Sequence, residues 1–104
     1  MEFINCTPHA LTIEGMGTLP PSGRVPRCAT VRSEAAYWGG VRVVAQSMGD
    51  VTGLPDPVEG VALIVSALVL GALRGSRPDV FAPDTGADCI RENGQIVAVR
   101  GLVQ

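Results

Sequence analysis

"VEGVALIVSALVLGALRG" (residues 58–75) holds the longest apolar run of the chain, and the way it divides decides the fold. The run itself, residues 60–73, is about 14 residues long, short of the roughly 20 that a membrane-spanning helix needs. That leaves a buried element inside a folded domain. Its first half is β-branched (Val61, Ile64, Val65) and its second half is rich in Ala and Leu. The pattern predicts a buried strand over about 61–65 that turns at Ser66 into one short helix around 66–74. Ser66 suits the N-cap because its hydroxyl can accept from the free amides of the first turn. Arg74 and Gly75 suit the other end, where a cation and a left-handed residue are favoured.

Outward from this segment the chain is punctuated everywhere, with 13 Gly and 8 Pro, which favours short strands and turns. "MEFIN" (1–5) and "HALTIE" (9–14) read as strands joined by "CTP", and "GMGTLPPSG" (15–23) as a loop, since Pro20 and Pro21 cannot donate to a ladder. "RVPRCATVRSE" (24–34) alternates as a strand, with Pro26 marking an edge or a bulge. A further strand runs from Val41 to about Gln46 and turns at Gly49-Asp50, and "LPDP" (54–57) is a stiff loop. "SRPDVFAPDTG" (76–86) is extended and bounded by prolines. The chain closes on a hairpin about Asn93-Gly94 (87–104), where a type I′ turn needs positive φ at both central residues. The expectation is a single α+β domain over 1–104, mostly short antiparallel strands, six or seven of them, with that one helix.

Composition narrows the function classes. Hydrophobic residues make up 46 % and charged residues 17 %, the latter well under the roughly 25 % usual for soluble domains. Either some apolar surface is covered by another subunit, or small Ala, Val and Gly residues inflate the count. All eight basic residues are Arg, and the formal net charge is −2, so the footprint of a duplex nucleic-acid binder is missing. The all-Arg bias also fits a GC-rich genome. Cys6, Cys28 and Cys89 are odd in number and widely spaced, against a disulfide framework or zinc site. The first residues have neither a basic n-region nor a long apolar h-region. A cytoplasmic protein without membrane segment or cofactor is expected.

Three places are candidates for chemistry. Asn5, Thr7 and the only histidine, His9, surround Pro8 in "NCTPH". They either bond the backbone of a turn or present His9 to a ligand as acid, base or hydrogen-bonding group. Arg77 and Asp79 straddle Pro78, either as an ordinary ion pair or as an Arg held in place for a phosphate or carboxylate. Ser66 lacks the G-x-S-x-G of a hydrolase elbow, but the amides beside it would suit an anion. "GMGTLPPSGR" matches neither a dinucleotide nor a P-loop pattern. Tyr37 and Trp38, before Gly39-Gly40, read as core or subunit contact, or as a stacking surface.

The chain resembles a group of small uncharacterised proteins of phages and high-GC actinobacteria that open on Asn-Leu-Thr-Pro-His. The matching pieces are "NCTPHALTI" (5–13, with Cys6 in place of Leu), "LPPSGRVPR" (19–27), "GLPDP" (53–57), "IVSALV" (64–69), "RPDVFAPD" (77–84) and "IVAVRGL" (96–102). The resemblance places Asn5, Thr7, His9, Arg27, Ser66, Arg77 and Asp79 on shared polar motif positions, and so implies one ligand pocket built from them. It supplies no activity. By analogy with small phage sponges, the expected function is a non-enzymatic, homo-oligomeric protein that sequesters a small anionic, nucleotide-like immune messenger. The alternatives are a hydrolase or phosphodiesterase with His9 as general base, and a structural or protein-interaction module of phage origin.

Overall fold

The computed structural model describes residues 1–87 and 89–104. It contains ten strands and one helix among them: β1 (Glu2–Asn5), β2 (Leu11–Ile13), β3 (Gly17–Leu19), β4 (Arg27–Trp38), β5 (Val41–Thr52), β6 (Val61–Ile64), α1 (Ala67–Leu73), β7 (Val80–Pro83), β8 (Ile90–Glu92), β9 (Gln95–Ala98) and β10 (Leu102–Val103). The α+β expectation holds, but the count of six or seven strands is corrected to ten. The additional strands β3, β7 and β10 are two to four residues long and lie beside prolines or at the chain's end. Pairing with distant partners makes them strands, and no local pattern announces that.

β6 divides the long apolar run where its composition changes. It is the inner strand of a four-stranded sheet ordered β1-β6-β7-β10, parallel to both β1 and β7, with β10 antiparallel at the far edge. Both of its faces are covered, which is why residues 61–65 show no polar alternation. Leu63 and Val65 face a cluster with Cys6, Val69 and Val80; Ile64 faces a second with Ile13, Cys89 and Val99. The parallel β6–β7 step needs a crossover, and α1 supplies it. Ser66 caps the helix as expected, its Oγ accepting from the Val69 amide at 3.3 Å. The left-handed position at the other end begins one residue early, at Arg74 (φ 52°). The small β2–β3 sheet covers the second cluster and is stitched to the C-terminal segment by Glu14 N to Val99 O (2.8 Å) and Val99 N to Thr12 O (3.0 Å).

β4 and β5 leave this body as a two-stranded ribbon. Each is twelve residues long, well past the expected turn at Gly49-Asp50. The ladder survives that point because bulges between Cys28 and Thr30 and between Arg32 and Ala35 absorb the extra residues. The true reversal is Gly39-Gly40, with φ of 58° and 80°, the positive pair that a two-residue hairpin requires. The ribbon lengthens the molecule. Its radius of gyration is 16.4 Å over extents of 51 × 37 × 22 Å, against about 13 Å for a compact chain of this size. No helix among the described residues is long and apolar enough to cross a membrane.

Candidate functional site

The turn after β1 is built around Asn5, which is 2 % exposed. Its Nδ2 donates to the carbonyls of His9 (2.8 Å) and Leu19 (3.0 Å), and its Oδ1 accepts from the Thr7 amide (3.0 Å). The Thr7 hydroxyl lies 2.5 Å from the same Oδ1 and 3.0 Å from the His9 carbonyl; its single hydrogen serves one of them at a time. One side chain thus ties β1, the 6–9 turn and β3 together. The network uses the backbone of His9, while the His9 side chain is exposed.

Arg77 and Asp79 form a closed pair. Nε donates to Oδ1 at 3.0 Å and an Nη to Oδ2 at 2.9 Å, and the same Nη donates to the Pro55 carbonyl at 2.8 Å. The guanidinium therefore fastens the 53–57 loop to the start of β7. Hydrogen bonding to Asp79 raises the Arg77 pKa further, against the cost of burial, with the charges of Asp79 and Asp56 adding to it. The same hydrogen bonds hold the Asp79 carboxyl below its ordinary range, again against burial. Three of the guanidinium's contacts are taken inside the protein.

Two concavities lie on the face of the sheet that carries Leu63. The smaller, about 250 Å³, brings together Arg27, Ser66, Cys6, Pro8, Cys28 and Leu68. It unites the 6–8, 25–28 and 66–69 segments, so Arg27 and Ser66 line one concavity. Asn5, Thr7, His9, Arg77 and Asp79 do not line it. The larger, about 400 Å³, is lined by Ile4, Val58, Val61 and Leu63 together with Ser22, Pro55, Asp56 and Arg24. No group of three or more metal-ligating side chains converges among the described residues.

The most exposed apolar surface is on the ribbon, whose aromatic pair Tyr37-Trp38, expected as core, subunit contact or stacking surface, lies outside the core. Cross-strand partners share a face, so Trp38 with Val41, Ala36 with Val43, and Val31 with Ser47 mark one side. Ala45 and Gly49 alternate onto it, and a Cβ added at Gly49 would meet Val31 Cγ2 at 3.3 Å. The bulges at Ser33-Glu34 and Gly49-Asp50 bring the charges there. The opposite side turns to the body at its base, where Cys28 and Val51 pack on the first cluster and Met48 Cε lies 3.5 Å from a Cβ placed on Gly71. The outer side stays open: Val31 is 56 % exposed, Val41 64 % and Trp38 73 %. The Gly-Gly dipeptide between alternating runs was the available hairpin signal. No family model, curated protein or solved structure matches the chain.

Proposed function

We propose that the chain is a non-enzymatic interaction module that works by self-association through the β4–β5 ribbon, in the cytoplasm of a phage-infected or actinobacterial cell. One observation carries this reading: the outer face of the ribbon, whose charges from Ala29 to Asp50 are confined to the bulges at Ser33-Glu34 and Gly49-Asp50, exposes Val31, Trp38, Val41 and Val43. A two-stranded ribbon is marginal in water when nothing covers it, and contiguous apolar surface of this kind marks contact with a partner. Trp38 at its end is of the residue type that anchors such contacts. The low charge content finds its use here as subunit surface.

Sedimentation velocity over a wide range of protein concentration tests it. Wild type is expected to associate, and the double variant Val31→Lys with Val43→Lys to stay monomeric. Both positions face solvent, so the variant's melting temperature should move only a few degrees. A wild type that remains monomeric throughout removes the reading.

The 250 Å³ concavity supports a second one, binding of a small anionic, nucleotide-like ligand, because Arg27 and Ser66 are both among its lining residues. Calorimetric titration with cyclic nucleotides and ADP-ribose derivatives should then give heat that Arg27→Ala abolishes. No heat from any of them eliminates this reading.

A further inference from the structure

The larger concavity has the make-up of a small-ligand site. At about 400 Å³ it falls in the size range of pockets that enclose small molecules, which are mostly apolar with a few polar groups. Its apolar lining is wholly aliphatic: Ile4 from β1, Val61 and Leu63 from β6, and Pro55 and Val58 from the connection before β6. Its polar lining residues are three, Ser22, Arg24 and Asp56.

The segments that line it are fastened to the sheet by the protein's own hydrogen bonds. Ile4 and Leu63 are register partners in the parallel β1–β6 pair. The Ser22 amide donates to the Asn5 carbonyl at 2.9 Å, and the Ser22 Oγ accepts from the Arg24 amide at 3.4 Å. Arg77 holds the Pro55 carbonyl at 2.8 Å, and Pro55 and Pro57 stiffen the backbone on either side of Asp56. The Val61 amide closes the 58–61 turn on the Val58 carbonyl at 3.1 Å. A groove held in this way is preorganised, so a ligand has little to order when it binds.

Arg24 and Asp56 are exposed, opposite in charge, and in no ion pair among the described residues. Asp56 adds only a minor charge effect at Arg77, whose guanidinium is committed to Asp79. An aliphatic groove lined by one cation and one anion that do not pair with each other matches a ligand with an apolar body and both charges. A fatty carboxylate would leave Asp56 unanswered, and an alkylamine would leave Arg24 unanswered. An α-amino acid answers both from a single carbon. We infer that the groove binds a free α-amino acid with a branched aliphatic side chain. Its carboxylate pairs with Arg24, its ammonium with Asp56, and its side chain lies against Ile4, Val61 and Leu63. The lining offers no aromatic face, which favours an aliphatic side chain over a ring. This site shares no residue with the ribbon or with the 250 Å³ concavity, so it stands apart from both readings above.

Titration of the full chain with L-leucine, followed by backbone amide NMR shifts, tests it. The resonances of Ile4, Val58 and Leu63 should move saturably, with a dissociation constant on the order of 0.1 mM. Isocaproate, which lacks the ammonium, and L-leucinamide, which lacks the carboxylate, should each bind at least tenfold more weakly. L-Alanine, which leaves the aliphatic lining empty, should also lose at least tenfold. Arg24→Gln should weaken L-leucine at least tenfold and leave L-leucinamide unchanged, while Asp56→Asn should weaken L-leucine as much and leave isocaproate unchanged. Both positions are exposed, so the melting temperatures should stay within a few degrees of wild type. No saturable shift at Ile4, Val58 and Leu63 with L-leucine up to about 10 mM overturns the inference, since that is far above the affinity expected for a ligand of this size. An analogue lacking one charge that binds wild type as tightly as L-leucine overturns it too, as does L-leucine binding that survives both substitutions.

Discussion

Asn5→Asp is expected to cost about 4 kcal/mol of stability at pH 7, more than Asn5→Ala at about 3 kcal/mol. The change is isosteric, but the atom that replaces Nδ2 cannot donate. In the native protein that nitrogen gives both its hydrogens to carbonyls, those of His9 and Leu19. An ionised Asp there sets a carboxylate oxygen against two carbonyl oxygens at a site 2 % exposed. Alanine leaves the same carbonyls unpaired and adds no charge. The two variants differ in pH dependence, too. Burial and the facing carbonyls raise the carboxyl's folded pKa above its unfolded value of about 3.9. Below that value the group is protonated in both states and can donate one of the missing bonds. As pH rises through the window above it, the folded state pays for ionisation that the unfolded chain makes freely. The gap between Asn5→Asp and wild type should therefore narrow at pH 4 and widen towards pH 7, while the Asn5→Ala gap stays flat. Urea denaturation at several pH values reads this directly. Equal gaps for both variants at all pH values would mean that Nδ2 does not hold the turn.

Ile64→Ala should cost about 3–4 kcal/mol, measured by the same denaturation or as a fall in melting temperature of roughly 15–25 °C. Ile64 is fully buried on the sheet face opposite α1, among Ile13, Cys89 and Val99. Its strand is hydrogen-bonded on both sides, so the backbone cannot close over the space that is left. Ile64→Val removes one methylene and should cost about 1 kcal/mol. Val103→Ala, at a residue 40 % exposed on the edge strand β10, should stay within about 0.5 kcal/mol. If Ile64→Ala proved as mild as Val103→Ala, the second cluster would not be a packed core.

What local chemistry specifies was legible in the sequence. Ser66 marks the start of α1 and Asn93-Gly94 the β8–β9 turn, where φ is 52° and 79°, because a cap and a type I′ turn depend on neighbouring residues alone. The Arg77–Asp79 pair was equally visible across one proline. What depends on distant segments was not. Nothing around Phe3 or Val61 says that their strands run parallel, and nothing around Thr18 says that its short strand pairs with β2. Arg27 and Ser66 were grouped only by the resemblance, within one pocket of seven residues, and the fold shows that of the seven these two line the 250 Å³ concavity. The same fold keeps Arg77 occupied with Asp79 and Pro55. For the aromatics at 37 and 38 the sequence left core, subunit contact and stacking surface open, and only the length of the ribbon removes the core.

The pairing of β1 with β6 also sets an order of events as the chain is made. Each β1 residue meets a partner 59 positions further on, Glu2 opposite Val61 and Asn5 opposite Ile64. At about 5–20 residues per second of synthesis, the first strand waits several seconds for its neighbour. The ribbon closes on contacts within one hairpin, a step of about 1–10 μs once its residues emerge. Its aromatic tip is thus formed while the groove still lacks Val61 and Leu63. The ribbon is complete seconds before the sheet against which its base packs, so the hairpin precedes the body each time the chain is made.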